Sequence, residues 1–296
     1  MTKSSKMNNR YLGYLFIAPN VIGVTIFILI PFLFSLVLVF SDWNHLQGLS
    51  KIRFIGLDNL ARLAEDDWFK ESFINNIVYT FLGVPVSIIL ALVLAAFLNN
   101  NVFGKTVIRA AYFLPYITNG VAVAFVWMLL FQPETGPINM FLRSIGIANP
   151  PGWLSSTKWA LPALIIINIW ATVGYNAVIY LANMQSVSAD IYEAAYVDGA
   201  TGFRKFIHIT FPLLTPSTFF LLMTGIINSF KVFDIVASLT QGGPIRSTSV
   251  LGYYIYNQAF KYYDMGYASA ISWVLFSLIF VVTLIQWKMQ KRWVIY

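Results

Sequence analysis

No charged side chain falls within residues 12–40, a run of apolar, small and uncharged polar residues. That run is longer than the roughly 20 residues with which a helix crosses the hydrocarbon of a bilayer. Backbone polar groups in lipid have no water to bond, so they must be satisfied within the segment, and a helix does this. Residues 74–98, 110–131, 159–183 and 265–287 are likewise uncharged, and 211–236 carries only Lys231 and Asp234. Pro19 and Pro31 lie in the first run and Pro115 in the third. Tilts or kinks are expected there.

Composition agrees: 58% of residues are hydrophobic and 10% charged, against about 25% charged in soluble proteins. The expected fold is an all-α membrane protein with six transmembrane helices in a single domain, 1–296. Cysteine is absent, which excludes disulfides and thiolate metal sites. The two histidines, His45 and His208, are far apart, and no His/carboxylate cluster has metal-ligand spacing. The net charge of +7 is spread along the flanks of the apolar runs. It reads as a topology signal and not as a nucleic-acid patch.

With the N-terminus inside, the cytoplasmic segments hold Lys3, Lys6, Arg10, Lys105, Arg109, Arg204, Lys205, Lys288, Lys291 and Arg292. The opposite side holds Lys51, Arg53, Arg62, Lys70, Arg143, Lys158, Arg246 and Lys261 over a longer total length. Six spans place both termini in the cytoplasm, and the basic bias agrees. The first run shows no cleavage site at a suitable distance and reads as a retained helix.

The stretch DIYEAAYVDGATGFRKFIHITFPLLTP (190–216) gathers Asp190, Glu193, Asp198, Arg204, Lys205 and His208. Asp190 and Glu193 have the form of a capping pair. Gly199 is placed to end the first helix in a left-handed cap. Thr201 is placed to start a second, carrying Phe203, Phe206 and Ile207 on one apolar face. Helix, tight turn and helix then project into the cytosol as a docking knob, or form a structured loop in which Glu193 only caps.

Polar groups inside spans mark either a pathway or the packing between helices. Asn168, Thr172, Asn176 and Tyr180 recur every four residues and share a helical stripe, flanked by Trp170, Gly174 and Tyr175. Amides and hydroxyls beside aromatic rings suit a sugar; helix–helix contact is the other reading. Asn228 and Ser229 of the fifth run are candidates on the same grounds, with Asn119 and Trp127 weaker. Lys231 and Asp234, three apart, are expected to neutralise each other as a buried pair. Gln241-Gly242-Gly243-Pro244 is expected to form a tight outer turn. NNNVFGKT (99–106) ends like a phosphate loop, but lacks the first glycine and any preceding strand. No H-E-x-x-H or G-x-S-x-G occurs, and the chain is expected not to be an enzyme.

Glu193-Ala194-Ala195, Gly199 four positions on, then Ile209 and Pro212 resemble the EAA signature of permease subunits of binding-protein-dependent ABC importers. Phe211 stands where that pattern usually has leucine. RAAYFLPYI (109–117), Trp127, GPINMFL (136–142), FDIVASLTQGGP (233–244) and MGYASAISW (265–273) look like the carbohydrate-uptake branch, maltose-type and glycerol-3-phosphate-type. The extra N-terminal helices and large outer insertion of the maltose type are not expected in this chain.

The resemblance implies a type I importer permease fold, with a cytoplasmic coupling loop at about 188–212. It implies pairing with a second permease subunit, usually a different chain, and with two ATP-hydrolysing subunits. Those subunits would be coupled through Glu193, Ala194, Ala195, Gly199, Ile209 and Pro212. It also implies an extracellular solute-binding protein and a bacterial or archaeal inner membrane. ATP and magnesium belong to the partner ATPase, so this chain is expected to bind no cofactor. Thr172, Gly174, Tyr175, Asn176, Tyr180, Asn228 and Ser229 are the expected substrate pathway, and a di- or oligosaccharide the expected solute. The alternatives are glycerol-3-phosphate as solute, or an autonomous ion-coupled carrier using Lys231 and Asp234.

Overall fold

The computed structural model of the chain describes residues 3–99 and 103–294, with side chains from Leu12 onward. The side chains of Lys3, Lys6 and Arg10, and residues 100–102 of the phosphate-loop-like stretch, lie outside the described positions.

In chain order the helices and strands are α1 (Lys3–Val24), α2 (Ile30–Val39), β1 (Ser41–Asp42), β2 (Arg53–Phe54), α3 (Asp58–Glu65) and α4 (Asp67–Asn99). Next come α5 (Lys105–Ile117), α6 (Gly120–Leu130), α7 (Pro137–Ser144), α8 (Ala160–Ser186), α9 (Ala189–Val197) and α10 (Gly202–Lys205). The chain closes with α11 (Phe211–Leu213), α12 (Thr215–Phe230), α13 (Asp234–Leu239), α14 (Leu251–Tyr256) and α15 (Met265–Trp293). Among the described residues, four helical stretches are long and apolar enough to cross a membrane, or up to six if each of two bent pairs counts as one crossing.

The breaks follow from local chemistry. A π-helical turn, Thr25–Leu29, joins α1 to α2, with the Ile30 N–H donating five residues back to the Thr25 carbonyl. Pro31 lacks an N–H and crowds the carbonyl four residues back, which the wider turn relieves.

The run at 110–131 is not the one helix expected. α5 and α6 meet at a 103° bend, because Thr118 is extended and Asn119 caps α6 by accepting from the Val121 N–H at 2.9 Å. The run at 211–236 is also divided. The helical segment 202–213 meets α12 at 60°, with Pro216 in the first turn of α12. Helix then stops at Phe230 and resumes at Asp234.

The described residues form two compact units. The first takes in the described residues of 1–65 and 255–273. Within it β1 and β2 pair antiparallel, Ser41 opposite Phe54. Buried Asn59 donates to the Val39 and Ser41 carbonyls at 2.9 and 3.0 Å. Gly266, near the start of α15, packs against the Ser41 carbonyl so closely that a Cβ would overlap it. Arg62 pairs with Asp264 at 2.7 Å, and Trp273 donates to Ser35 Oγ at 3.1 Å. Most large side chains of α1 and α2 are exposed, as suits a helix whose solvent is lipid.

The second unit takes in the described residues of 66–254 and 274–296. Here α4 lies along α8 and α12, α5 packs on α8, and α6 on α13. Its apolar core includes Leu161, Leu164, Ile167, Val236, Val250 and Tyr253. Fully buried Asn76 accepts from the Leu251 N–H at 3.0 Å and donates to the Phe230 carbonyl at 3.4 Å. One side chain thus satisfies backbone freed at the end of α12 and the start of α14.

Candidate functional site: a polar recess and a surface elbow

In the second unit α4, α5, α8 and α12 enclose a recess of about 130 Å³ whose walls include Ser87, Tyr116, Thr172, Tyr175, Asn176 and Asn228. Ser87 is its hub. Its hydroxyl lies 2.7 Å from Thr172 Oγ1 and accepts from Asn176 Nδ2 at 3.0 Å, while Thr172 donates to the Asn168 carbonyl at 2.8 Å. Tyr116 stacks on Tyr175, ring centroids 4.3 Å apart. Ser229 also lines the recess, and its buried hydroxyl has no partner among the described residues. Hydroxyls, amides and two stacked rings offer a polyhydroxylated solute hydrogen bonds at its edges and an apolar face for its C–H surface.

The structure divides the expected pathway set. Thr172, Tyr175, Asn176, Asn228 and Ser229 line the recess. Gly174 and Tyr180 do not. Tyr180 is fully buried and bonds Thr218 Oγ1 of α12 at 2.9 Å, so it fastens one helix to another. Tyr180→Phe is therefore expected to destabilise the protein by only about 0.6 kcal/mol, which thermal unfolding in detergent checks. Gly174 is the point where α8 meets the α5 backbone, since a Cβ there would overlap the Tyr112 carbonyl.

Lys231 and Asp234 do not form the expected buried pair. Helix ends between them, so they do not share a helical face, and both side chains are exposed. No carboxylate lies within 4.0 Å of Lys231 among the described residues.

Residue reasoning missed Ser87, Tyr79 and Tyr116. Ser87 had a signal, being a lone hydroxyl in an otherwise apolar stretch of α4. The Tyr116–Tyr175 stack joins distant positions and had none.

The elbow at 188–212 lies on α9 and α10. Asp190 is not the cap. α9 begins one residue earlier, and Ser188 Oγ accepts from the Asp190 N–H at 3.3 Å. Gly199 ends it as expected, at φ +74°. The Ala200 N–H donates to the Ala195 carbonyl and the Gly199 N–H to the Tyr196 carbonyl, a Schellman pair. Thr201 stands at the cap of α10 without a side-chain cap bond. Tyr192 locks the fold, its hydroxyl 3.3 Å from Thr210 Oγ1 and its ring under Lys205 Nζ.

Relieved of capping, Glu193 is exposed beside exposed Ala194, while Ala195 is buried. Tyr196, Val197 and Phe203 are 80%, 85% and 75% exposed. Of the expected apolar face, Phe203 and Ile207 are exposed and Phe206 is partly covered; Ile209, farther on, is partly covered, and Pro212 is the second residue of α11.

Residues 60–294 match the family described as binding-protein-dependent transport system inner membrane component. The lactose transport system permease protein LacF of Rhizobium radiobacter is 35% identical over 285 residues, covering 95% of this chain and 94% of that one. The sn-glycerol-3-phosphate transport system permease protein UgpA of Agrobacterium fabrum is 32% identical, covering 97% of each. The fold is similar to a chain of a bacterial ABC transporter involved in import of the acidic polysaccharide alginate. Its TM-score is 0.85 at 24% identity, over 97% of this chain and 98% of that one. With the greater part of its length matched to the family and near-complete relatives above 30% identity, this chain belongs to the binding-protein-dependent transport system inner membrane components.

Proposed function

We propose that the chain is a membrane-crossing subunit of an ATP-driven importer that carries a sugar past the polar recess. In this reading each bent pair is one crossing, giving six, with both termini cytoplasmic. It pairs with a second permease subunit. It receives its solute from an external binding protein and takes its power from two ATPase subunits that grip the α9–α10 elbow. A solved assembly of similar fold is in complex with a pentasaccharide-bound periplasmic protein, which supports the binding-protein partner.

The observation that carries the reading is the exposed elbow. Tyr196, Val197 and Phe203 put exposed apolar surface on the elbow, which also carries exposed Glu193 and, in this reading, lies between spans and outside lipid. Such surface marks a protein interface. ATP and the loaded binding protein then each favour one of two conformations of the assembly, and the elbow transmits the change. An ion-coupled carrier would give that surface no partner.

The recess is tested by Asn176→Ala in the assembled importer, measuring uptake of the sugar that co-purifies with its binding protein. Loss of one solute hydrogen bond should slow uptake roughly tenfold, the equivalent of about 1.4 kcal/mol, with ATPase co-purification intact. Unchanged uptake would remove the recess from the route.

A further inference from the structure

The short helix α7, in the loop between α6 and α8, turns its apolar side outward. Pro137, Met140, Phe141 and Ile145 have the spacing of one helical face, and all four are exposed. Ser144 lies on the same face, but its hydroxyl donates back to the Phe141 carbonyl at 2.7 Å. Arg143, the only charged residue of the helix, donates to the Pro133 and Glu134 carbonyls at 3.1 and 2.9 Å. The face is left without a charge or a free hydroxyl proton.

This orientation is built in. Buried Asn139, on the opposite side of the helix, donates to the Pro133 and Pro151 carbonyls at 3.1 and 3.0 Å. It accepts from Trp153 Nε1 at 2.7 Å, and the Trp153 ring stacks on Phe131 at the end of α6, centroids 5.0 Å apart. A Cβ on Gly136 would overlap the Leu130 and Gln132 carbonyls, so α7 starts directly against the end of α6. The helix cannot roll its apolar face inward without leaving these buried groups unbonded.

Lipid is the cover that suits such a face. α6 presents exposed Val121, Phe125 and Leu129, four residues apart, up to that same end. α8 opens at Ala160, one residue past exposed Trp159, and is long and apolar enough to cross a membrane. α7 is thus tied to the end of one apolar segment and leads into another, beside tryptophans of the kind that gather at membrane surfaces. The rim of a protein interface needs hydrogen-bonding groups, and this face has only the Ser144 oxygen to give. Acyl chains need none.

We propose that α7 is an interfacial helix, lying along the membrane surface with Met140, Phe141 and Ile145 sunk about 5–10 Å into the boundary between headgroups and acyl chains. The hold is apolar and indifferent to headgroup charge, and it pins the connection from α6 to α8 against the bilayer. The proposal rests on the reading of α5 and α6 as one crossing.

The chain has no cysteine, so a single introduced thiol can carry a bimane label in the complete importer in nanodiscs. Phe141→Cys reports on the face, with Met140→Cys in its place if that variant fails to assemble. Leu129→Cys reports on α6, and Lys51→Cys, at an exposed charged position, stands in water. Iodide quenches labels in water, and lipids with a nitroxide near the headgroup or at the chain end quench by depth.

Iodide quenching of the Phe141 label should be several-fold weaker than at Lys51. The shallow nitroxide should quench it more than the deep one, equally in phosphatidylcholine and phosphatidylglycerol, with or without loaded binding protein. Iodide quenching equal to that at Lys51 overturns the proposal. So does screening from iodide and both lipids, which would mean that a protein covers the face. A requirement for phosphatidylglycerol overturns it too, since the hold would then be ionic. If Leu129 is quenched by lipid while Phe141 stays in water, the crossing stands and only the interfacial helix falls; if both stay in water, both fall.

Discussion

Ala194→Trp is expected to leave a chain that inserts and folds but no longer retains its ATPase subunits. Ala194 is exposed on α9, one position from Glu193. An indole there has open space in the isolated subunit and holds any partner off the helix surface. Interfaces concentrate their energy in a few central, desolvated contacts worth about 2 kcal/mol or more each. Blocking close approach across the exposed surface of Tyr196, Val197 and Phe203 should therefore lower ATPase retention roughly thirtyfold or more. Glu193→Ala should be milder, since it removes one charged contact and adds no bulk. Its expected signature is an assembled complex in which ATP hydrolysis is no longer stimulated by the loaded binding protein. Co-purification and stimulated ATPase rate separate the two variants. Wild-type values in both would dismiss the elbow as a docking site.

Gly174→Ala should be the most damaging single-methyl change in the second unit. A Cβ at that position would overlap the carbonyl of Tyr112, which is backbone and cannot rotate aside. α5 must then move off α8, which also separates Tyr116 from Tyr175 and opens the recess wall. Overpacking of this kind typically costs about 1–3 kcal/mol. A sharp fall in detergent melting temperature and in the yield of assembled importer is expected. Gly23→Ala is the control, because nothing lies within 4 Å of its added Cβ. A Gly174→Ala protein as stable as that control would mean the α5–α8 approach is looser than described.

These two positions show how unevenly the molecule could be read from its residues. The long uncharged runs were legible because lipid allows few solutions for a helix of that length. The elbow was legible because Gly199 and the EAA spacing are local. Asp190 was misjudged because Ser188 and Asp190 both resemble caps, and only the backbone reveals that α9 has already begun. The bend at Thr118–Asn119 was hidden because the run stays apolar through it; one asparagine cap turned the chain. Lys231 and Asp234 looked like neighbours on a helix because spacing alone does not reveal that the helix stops at Phe230. Gly174 was taken for part of a substrate surface because close approach of α5 depends on a partner more than 50 residues away in sequence. Where a pair is distant in sequence, as with Ser87 and Thr172, no periodicity in either helix announces it.

Uptake of the binding protein's sugar into vesicles holding the full assembly, compared with vesicles from which the ATPase subunit has been left out, reaches the central claim most directly. The account predicts that uptake with ATP inside disappears with that subunit. Continued accumulation without it, driven by a proton or sodium gradient, would contradict the account and make the chain a self-sufficient carrier.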